Sequence, residues 1–237
     1  MVKEYSFLFW NDDAFFFKSY QGTKMRSPIS FVIILVCLFI DIISVSAEVK
    51  KEYYPSGKLR SEVNIINGKQ EGTGKDYYES GRIRIERNFK NGKWDGVVKV
   101  YYPDGKLESE GSFSNGKQEG VAKRYYESGK LKSETNFTND KLEGVDKRYY
   151  ESGNIAGKIN YKNGKKEGVS KMYYEGKKLL SELNFINGKL EGITKGYYKN
   201  GNVEYVDSYK NGLRIRRKYY NENGKLKFDR TYQGLDE

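Results

Sequence analysis

The sequence contains no histidine, and its one cysteine is Cys37. Without histidine the chain lacks the commonest general base, the commonest metal ligand and the usual partner of a serine or cysteine nucleophile. A single cysteine excludes an intrachain disulfide and a cysteine metal site. Proline is scarce, at three residues. Only one long hydrophobic run exists, from Ile29 to Ile40. Carboxylates are abundant, but those that stand out are copied along the chain, whereas an active site is usually one asymmetric constellation. The expectation is therefore a protein that is not an enzyme and has no cofactor and no metal.

Charge is present in excess and unevenly placed. The 237 residues carry 43 Lys and Arg against 32 Asp and Glu, a net +11. Residues 1–47 hold Lys3, Lys18, Lys24 and Arg26 against Glu4, Asp12, Asp13 and Asp41. The whole excess lies beyond them. High charge can signal disorder, but regularly placed aromatics argue against it.

Tyrosine supplies that regularity. Pairs stand at Tyr53-Tyr54, Tyr77-Tyr78, Tyr101-Tyr102, Tyr125-Tyr126, Tyr149-Tyr150, Tyr173-Tyr174 and Tyr197-Tyr198, a period of 24 residues. A last pair, Tyr219-Tyr220, follows after 22. Fixed-period self-similarity marks a repeat array.

One repeat reads as two strands. Val121 to Tyr126 is β-branched and aromatic, Glu127-Ser128-Gly129 is a three-residue turn, and Lys130 to Phe137 is the returning strand. The next turn is Asn-Gly in most repeats, for example Asn91-Gly92 and Asn187-Gly188, and Asn139-Asp140 here. With Glu127-Ser128-Gly129 as the turn, Tyr125 faces Leu131, Lys123 faces Ser133 and Val121 faces Thr135. Strand alternation then puts Val121, Tyr125, Leu131 and Phe137 on one apolar face. The first tyrosine of each pair points inward and the second to the opposite face. Eight units give about sixteen strands, near 75 Å at roughly 4.8 Å per strand. The fold class is all-β: an elongated, twisted antiparallel meander or solenoid of about eight 24-residue hairpin repeats, curled over its apolar face. Repeat six has a slip, with Gly176-Lys177 where Ser-Gly stands elsewhere.

The segments FKNGKWDG (89–96) and FSNGKQEG (113–120), each leading to a tyrosine pair, resemble MORN repeats. The similarity is to the variant common in bacterial proteins, including the YwqK-type antitoxin family, and it covers about residues 51–232. The resemblance implies a β-hairpin array and a scaffold that binds proteins or associates with membranes. The chain departs from the standard pattern, with a glutamate or Asp95 before Gly where His is frequent. The pattern's further glycine survives as Gly74 but is Val98, Ala122, Asp146, Ser170 or Thr194 elsewhere. Those departures weaken the case for the standard repeat's lipid role in this chain.

Two rows are candidate binding surfaces. A basic column, two residues before each pair, runs Lys51, Lys75, Lys99, Lys123, Lys147, Lys171, Lys195 and Arg217. By alternation it shares the apolar face, with charges about 10 Å apart, close to the Debye length. It reads as a track for an anionic polymer or lipid headgroups. It also reads as lysine stems covering that face, which we rank first. The second-tyrosine row, Tyr54, Tyr78, Tyr102, Tyr126, Tyr150, Tyr174, Tyr198 and Tyr220, is either an exposed aromatic ladder or cross-strand packing; the two readings weigh equally. A carboxylate row, Glu71, Asp95, Glu119, Glu143, Glu167 and Glu191, is too sparse for a calcium cage and reads as turn chemistry.

The chain divides into 1–24, an upstream extension; 25–47, a signal peptide; and 48–237, the repeat array. Lys24 and Arg26 precede the apolar centre, and Val45-Ser46-Ala47 supplies small residues for cleavage. Two readings stay open beside this one: Met25 as the start, or an uncleaved membrane anchor through 29–47. The expected localisation is exported: periplasm, cell envelope or secreted. The expected function is a scaffold binding a protein or an anionic envelope polymer or membrane surface. The alternative, an antitoxin-like protein neutralising a toxin by direct contact, follows from the resemblance alone. Nucleic acid does not fit an exported chain, and sequence does not set the oligomeric state.

Overall fold

The computed structural model describes residues 5–11, 14–20 and 46–232. The apolar run lies outside them, as does Val45, whereas Ser46 and Ala47 of the expected cleavage region lie within. Tyr5–Asn11 and Ala14–Tyr20 pair antiparallel as a hairpin of their own. The rest, from Ala47 to Thr231, is one antiparallel sheet with no helix among the described residues.

Twenty strand segments make up this sheet. Four are two-residue pieces, Lys93–Trp94, Lys141–Leu142, Lys165–Lys166 and Lys189–Leu190. A single residue separates each from the strand that follows. The sheet therefore has sixteen strands in sequence order, two per repeat. It is open: the first strand, Ala47–Tyr53, pairs with Leu59–Ile66, and the last, Leu226–Thr231, with Leu213–Tyr220.

Two kinds of turn join the strands. At the Asn-Gly turns both central residues are left-handed: Asn91 has φ 54° and Gly92 78°, as a two-residue hairpin of matching twist requires. Asp140 takes the glycine place with φ 66°, and its Oδ1 accepts the Gln118 N–H at 2.7 Å. At the other end the Tyr126 carbonyl accepts from Gly129 N at 2.8 Å, and Tyr126 N donates to the Lys130 carbonyl at 2.8 Å.

The hairpin register differs from the bulge-free expectation. Tyr125 does face Leu131, but Lys123 faces Glu134 and Val121 faces Asn136. Lys132 is an extra residue, a β-bulge, and the same shift recurs beside the first tyrosine in the other repeats. Two strand residues then oppose one, which reverses the facing of everything beyond. Val121, Lys123 and Tyr125 still share a face, as alternation demands. Phe137 does not share it; its face carries Ala122, Arg124, Ser133 and Thr135.

Burial identifies Phe137's face as the inner one. The buried apolar residues Phe89, Val98, Ile159 and Phe185 all lie there. The row Val97, Val121, Val145, Val169 and Ile193, expected inside, is exposed. The first tyrosines, also expected inside, belong to this outer face. Small residues let the inner face close. A Cβ on Gly196 would stand 2.1 Å from Tyr205 Cε1, and one on Gly74 would stand 2.8 Å from Phe89 Cε2. The rings occupy the space that a Cβ would need.

Candidate functional site

On the outer face the basic column has carboxylates between its rungs. Lys51 and Lys75 both face Glu62, Lys75 and Lys99 face Glu86, Lys99 and Lys123 face Glu110, and Lys123 and Lys147 face Glu134. Lys171 and Lys195 share Glu182. Lys147 lies 3.1 Å from Glu134 and Lys171 3.0 Å from Glu182. These pairs raise both lysines above the ordinary value, through the hydrogen bond first. The rows form one alternating ladder, interrupted where Lys158 faces both Lys147 and Lys171. The first tyrosines support it: Tyr125 donates to Glu110 at 2.9 Å and Tyr197 to Glu182 at 3.0 Å. The glutamates Glu62, Glu86, Glu110, Glu134 and Glu182 read from the sequence as balancing lysines across the sheet; the bulge sets which lysine each one faces.

The column's last member is placed differently from expectation. Tyr220 faces Leu226, the pairing of a first tyrosine, and Asn221 occupies the second-tyrosine place at the turn. The final pair is thus one residue out of step. Lys218, facing Val206 and Asp229, continues the outer column. Arg217 turns inward and clamps Asp207 through Nε and Nη2, both at 2.7 Å. Asp207 is 1% exposed.

The second tyrosines join one repeat to the next. Tyr54, Tyr78, Tyr102, Tyr126, Tyr150 and Tyr174 each donate a hydroxyl hydrogen bond to the carbonyl of the following repeat's first tyrosine, at 2.6–2.8 Å. Tyr198 does the same to Tyr220 at 2.8 Å. All are half-buried, so each ring keeps a free edge. The carboxylate row works at the opposite end of the hairpins. Glu71, Asp95, Glu119, Glu143, Glu167 and Glu191 each accept the backbone N–H of the next turn's asparagine, at 2.6–3.1 Å. Among the described residues, no group of three or more Asp, Glu, His or Cys side chains is arranged to hold a metal ion.

The inner face carries a groove of about 980 Å³ that spacing did not reveal. It runs from Ile85 to Tyr161. Trp94 and Phe113 meet edge to face in its wall, 5.0 Å apart. Val98, Val100, Ala122, Phe137 and Leu142 continue the apolar lining, and Tyr126 and Tyr150 bring in the second-tyrosine row. The charged lining is divided. Asp146, 5% exposed, is held by Arg148 Nε at 2.9 Å and by the Thr135 hydroxyl. Lys132, the bulge residue, sits 5.2 Å from the centre of the Tyr126 ring. Arg124 is exposed and makes no ion pair among the described residues. The signal in the sequence is the run of small residues at inward positions, Ser109, Gly111, Ala122 and Ser133, which leaves the space open.

With this geometry in place, comparison with known proteins is direct. The model of the MORN repeat variant matches residues 49–67, 70–91, 94–115, 118–139, 142–163, 166–187, 190–211 and 215–233. The eight matched segments cover almost the whole sheet. No curated protein matches the chain.

Proposed function

The chain belongs to the MORN repeat variant family, and from that premise we propose a non-enzymatic scaffold that holds an extended segment of a partner protein in its inner groove. Repeats of this family are generally associated with protein or membrane-lipid binding. The observation that carries the protein reading is the groove itself: aromatic and aliphatic walls beside Arg124, a cation with no carboxylate of its own. Aromatic anchors and arginine are what dominate protein interfaces energetically. The charge selects a segment with an acidic residue next to apolar ones. The outer ladder is the weaker candidate for an anionic polymer, because most of its lysines already face glutamates in register.

The test is position-specific photo-crosslinking in the native host. A crosslinker at Trp94 or Tyr126 should capture one discrete partner, and Arg124→Glu should abolish the capture. A crosslinker at Val145, on the outer face, should capture nothing. Equal capture from both faces would count against the groove. We further infer export, supported by the apolar run 29–40 and the small residues at 45–47. Mass spectrometry of the mature N-terminus should then find a chain starting at Glu48, whereas an intact N-terminus in the cytoplasmic fraction would refute it.

A further inference from the structure

Beside that groove, the inner face of the first two repeats forms a second cavity, of about 440 Å³ and more polar. Four cations line it: Lys50, Arg60, Arg84 and Arg87. Two carboxylates hold them in pairs. Asp76, 7% exposed, takes Arg87 on Oδ1 and Arg84 on Oδ2 at 3.3 Å. Glu52 takes Arg60 on Oε2 at 3.1 Å and Lys50 on Oε1 at 3.6 Å. Glu62 also borders the cavity, but its carboxylate lies on the outer face, where the Tyr77 hydroxyl and Lys51, at 3.9 Å, engage it. Four positive charges therefore face two carboxylates. Each carboxylate is shared, so the guanidinium groups keep N–H donors that no carboxylate of the site accepts.

A second observation falls at the same place: of the two buried arginine Nε–H groups without a partner among the described residues, Arg87 and Arg214, one is here. A buried donor without an acceptor is costly, and strain, a functional role, or an ion or water at the site accounts for such groups. Arg87 cannot easily swing away to find one. Its guanidinium lies 5.8 Å from the Phe89 ring centre and 5.9 Å from that of Trp94, and Asp76 holds its tip. The fork is fixed before any ligand arrives, which lowers the cost of binding.

We propose that this cavity is a binding site for a small soluble oxyanion of charge two, a phosphate or the phosphate group of a monoester. Planar guanidinium groups match phosphate oxygens two at a time. A dianion restores the balance of four cations and two carboxylates. Tyr54, Val63 and Phe89 line the remaining space and give a small organic body an apolar wall. The site borders the partner groove, with Arg87 against Trp94, but the two share no lining residue.

Thermal unfolding of the full chain with inorganic phosphate, against chloride at matched ionic strength, tests it. Ligand that binds the folded state raises the melting temperature as a saturable function of concentration. Phosphate should do so and chloride should not. The variant Arg60→Gln/Arg84→Gln changes two half-exposed arginines and leaves Arg87–Asp76 intact. It should weaken phosphate at least tenfold, while Lys171→Gln on the outer face should leave it unchanged. A phosphate effect no larger than that of chloride, or one retained by the double variant, would overturn the proposal. Neither result would touch the crosslinking expected at Trp94.

Discussion

Lys177 sits at φ 69° in the hairpin turn of repeat six, where the other repeats place a glycine, such as Gly129 at 84° and Gly153 at 87°. The irregular Gly176-Lys177 order does not break the turn. Lys177 N donates to the Tyr174 carbonyl at 2.9 Å, as Gly129 N does to Tyr126. What differs is cost. A side chain in the left-handed region loses roughly 1–2 kcal/mol, and the gain from stiffening the unfolded chain returns only part, about 0.4–1 kcal/mol. Lys177→Gly should therefore stabilise the protein by about 0.5–1 kcal/mol, relative to these two opposing terms. A rise in the denaturant midpoint at unchanged slope would show it. A fall would mean that the lysine makes a compensating contact. The slip was legible in the sequence as a departure; that the backbone absorbs it was not, because φ follows from the turn and not from the residue.

Hairpins become an array through contacts that repeat with the period. The second tyrosine is the clearest: its hydroxyl reaches the carbonyl of the next repeat at one end of the strands, while the carboxylate before each glycine reaches the next asparagine N–H at the other. Both rows were legible as columns. Their direction was not, since a hydrogen bond to backbone leaves no partner residue in the sequence. The bulge was hidden for a related reason. Leu131-Lys132-Ser133 alternates like any strand, and only the pairing of Lys123 with Glu134 reveals the extra residue. Missing it placed the first tyrosine and its valine row in the core, when both face outward. Tyr126→Phe isolates the inter-repeat bond, because the ring and its packing stay. It should cost about 1 kcal/mol, the net worth of one hydrogen bond, and hydrogen exchange should speed up at Tyr149 and its neighbours. Uniform acceleration along the array would instead indicate that the repeats unfold only together.

Across the whole sheet the outer ladder couples tyrosines to carboxylates, and this sets an alkaline limit on the fold. Burial first, and then the bond to Glu62, push the Tyr77 phenol from 10.0 up to about 12. Tyr101, Tyr125 and Tyr197 move in the same direction, each by burial and then by Glu86, Glu110 and Glu182 respectively. A raised folded value means that the folded chain holds more protons than the unfolded chain between the two values. The stabilisation is then fully present below pH 10, where both states are protonated, and is lost as pH rises through about 12. Denaturant unfolding should give a steady stability up to about pH 9 and a decline from there, with tyrosinate absorbance of the folded protein lagging behind that of the denatured protein. Replacing Glu62 with Gln separates the two causes. It should bring Tyr77 part of the way back toward 10.0 and no further, because burial is the larger effect. Complete return would assign the shift to the carboxylate instead. The experiment also reads the ladder's register, since only the bulged pairing brings Glu62 between Lys51 and Lys75 and under the Tyr77 hydroxyl.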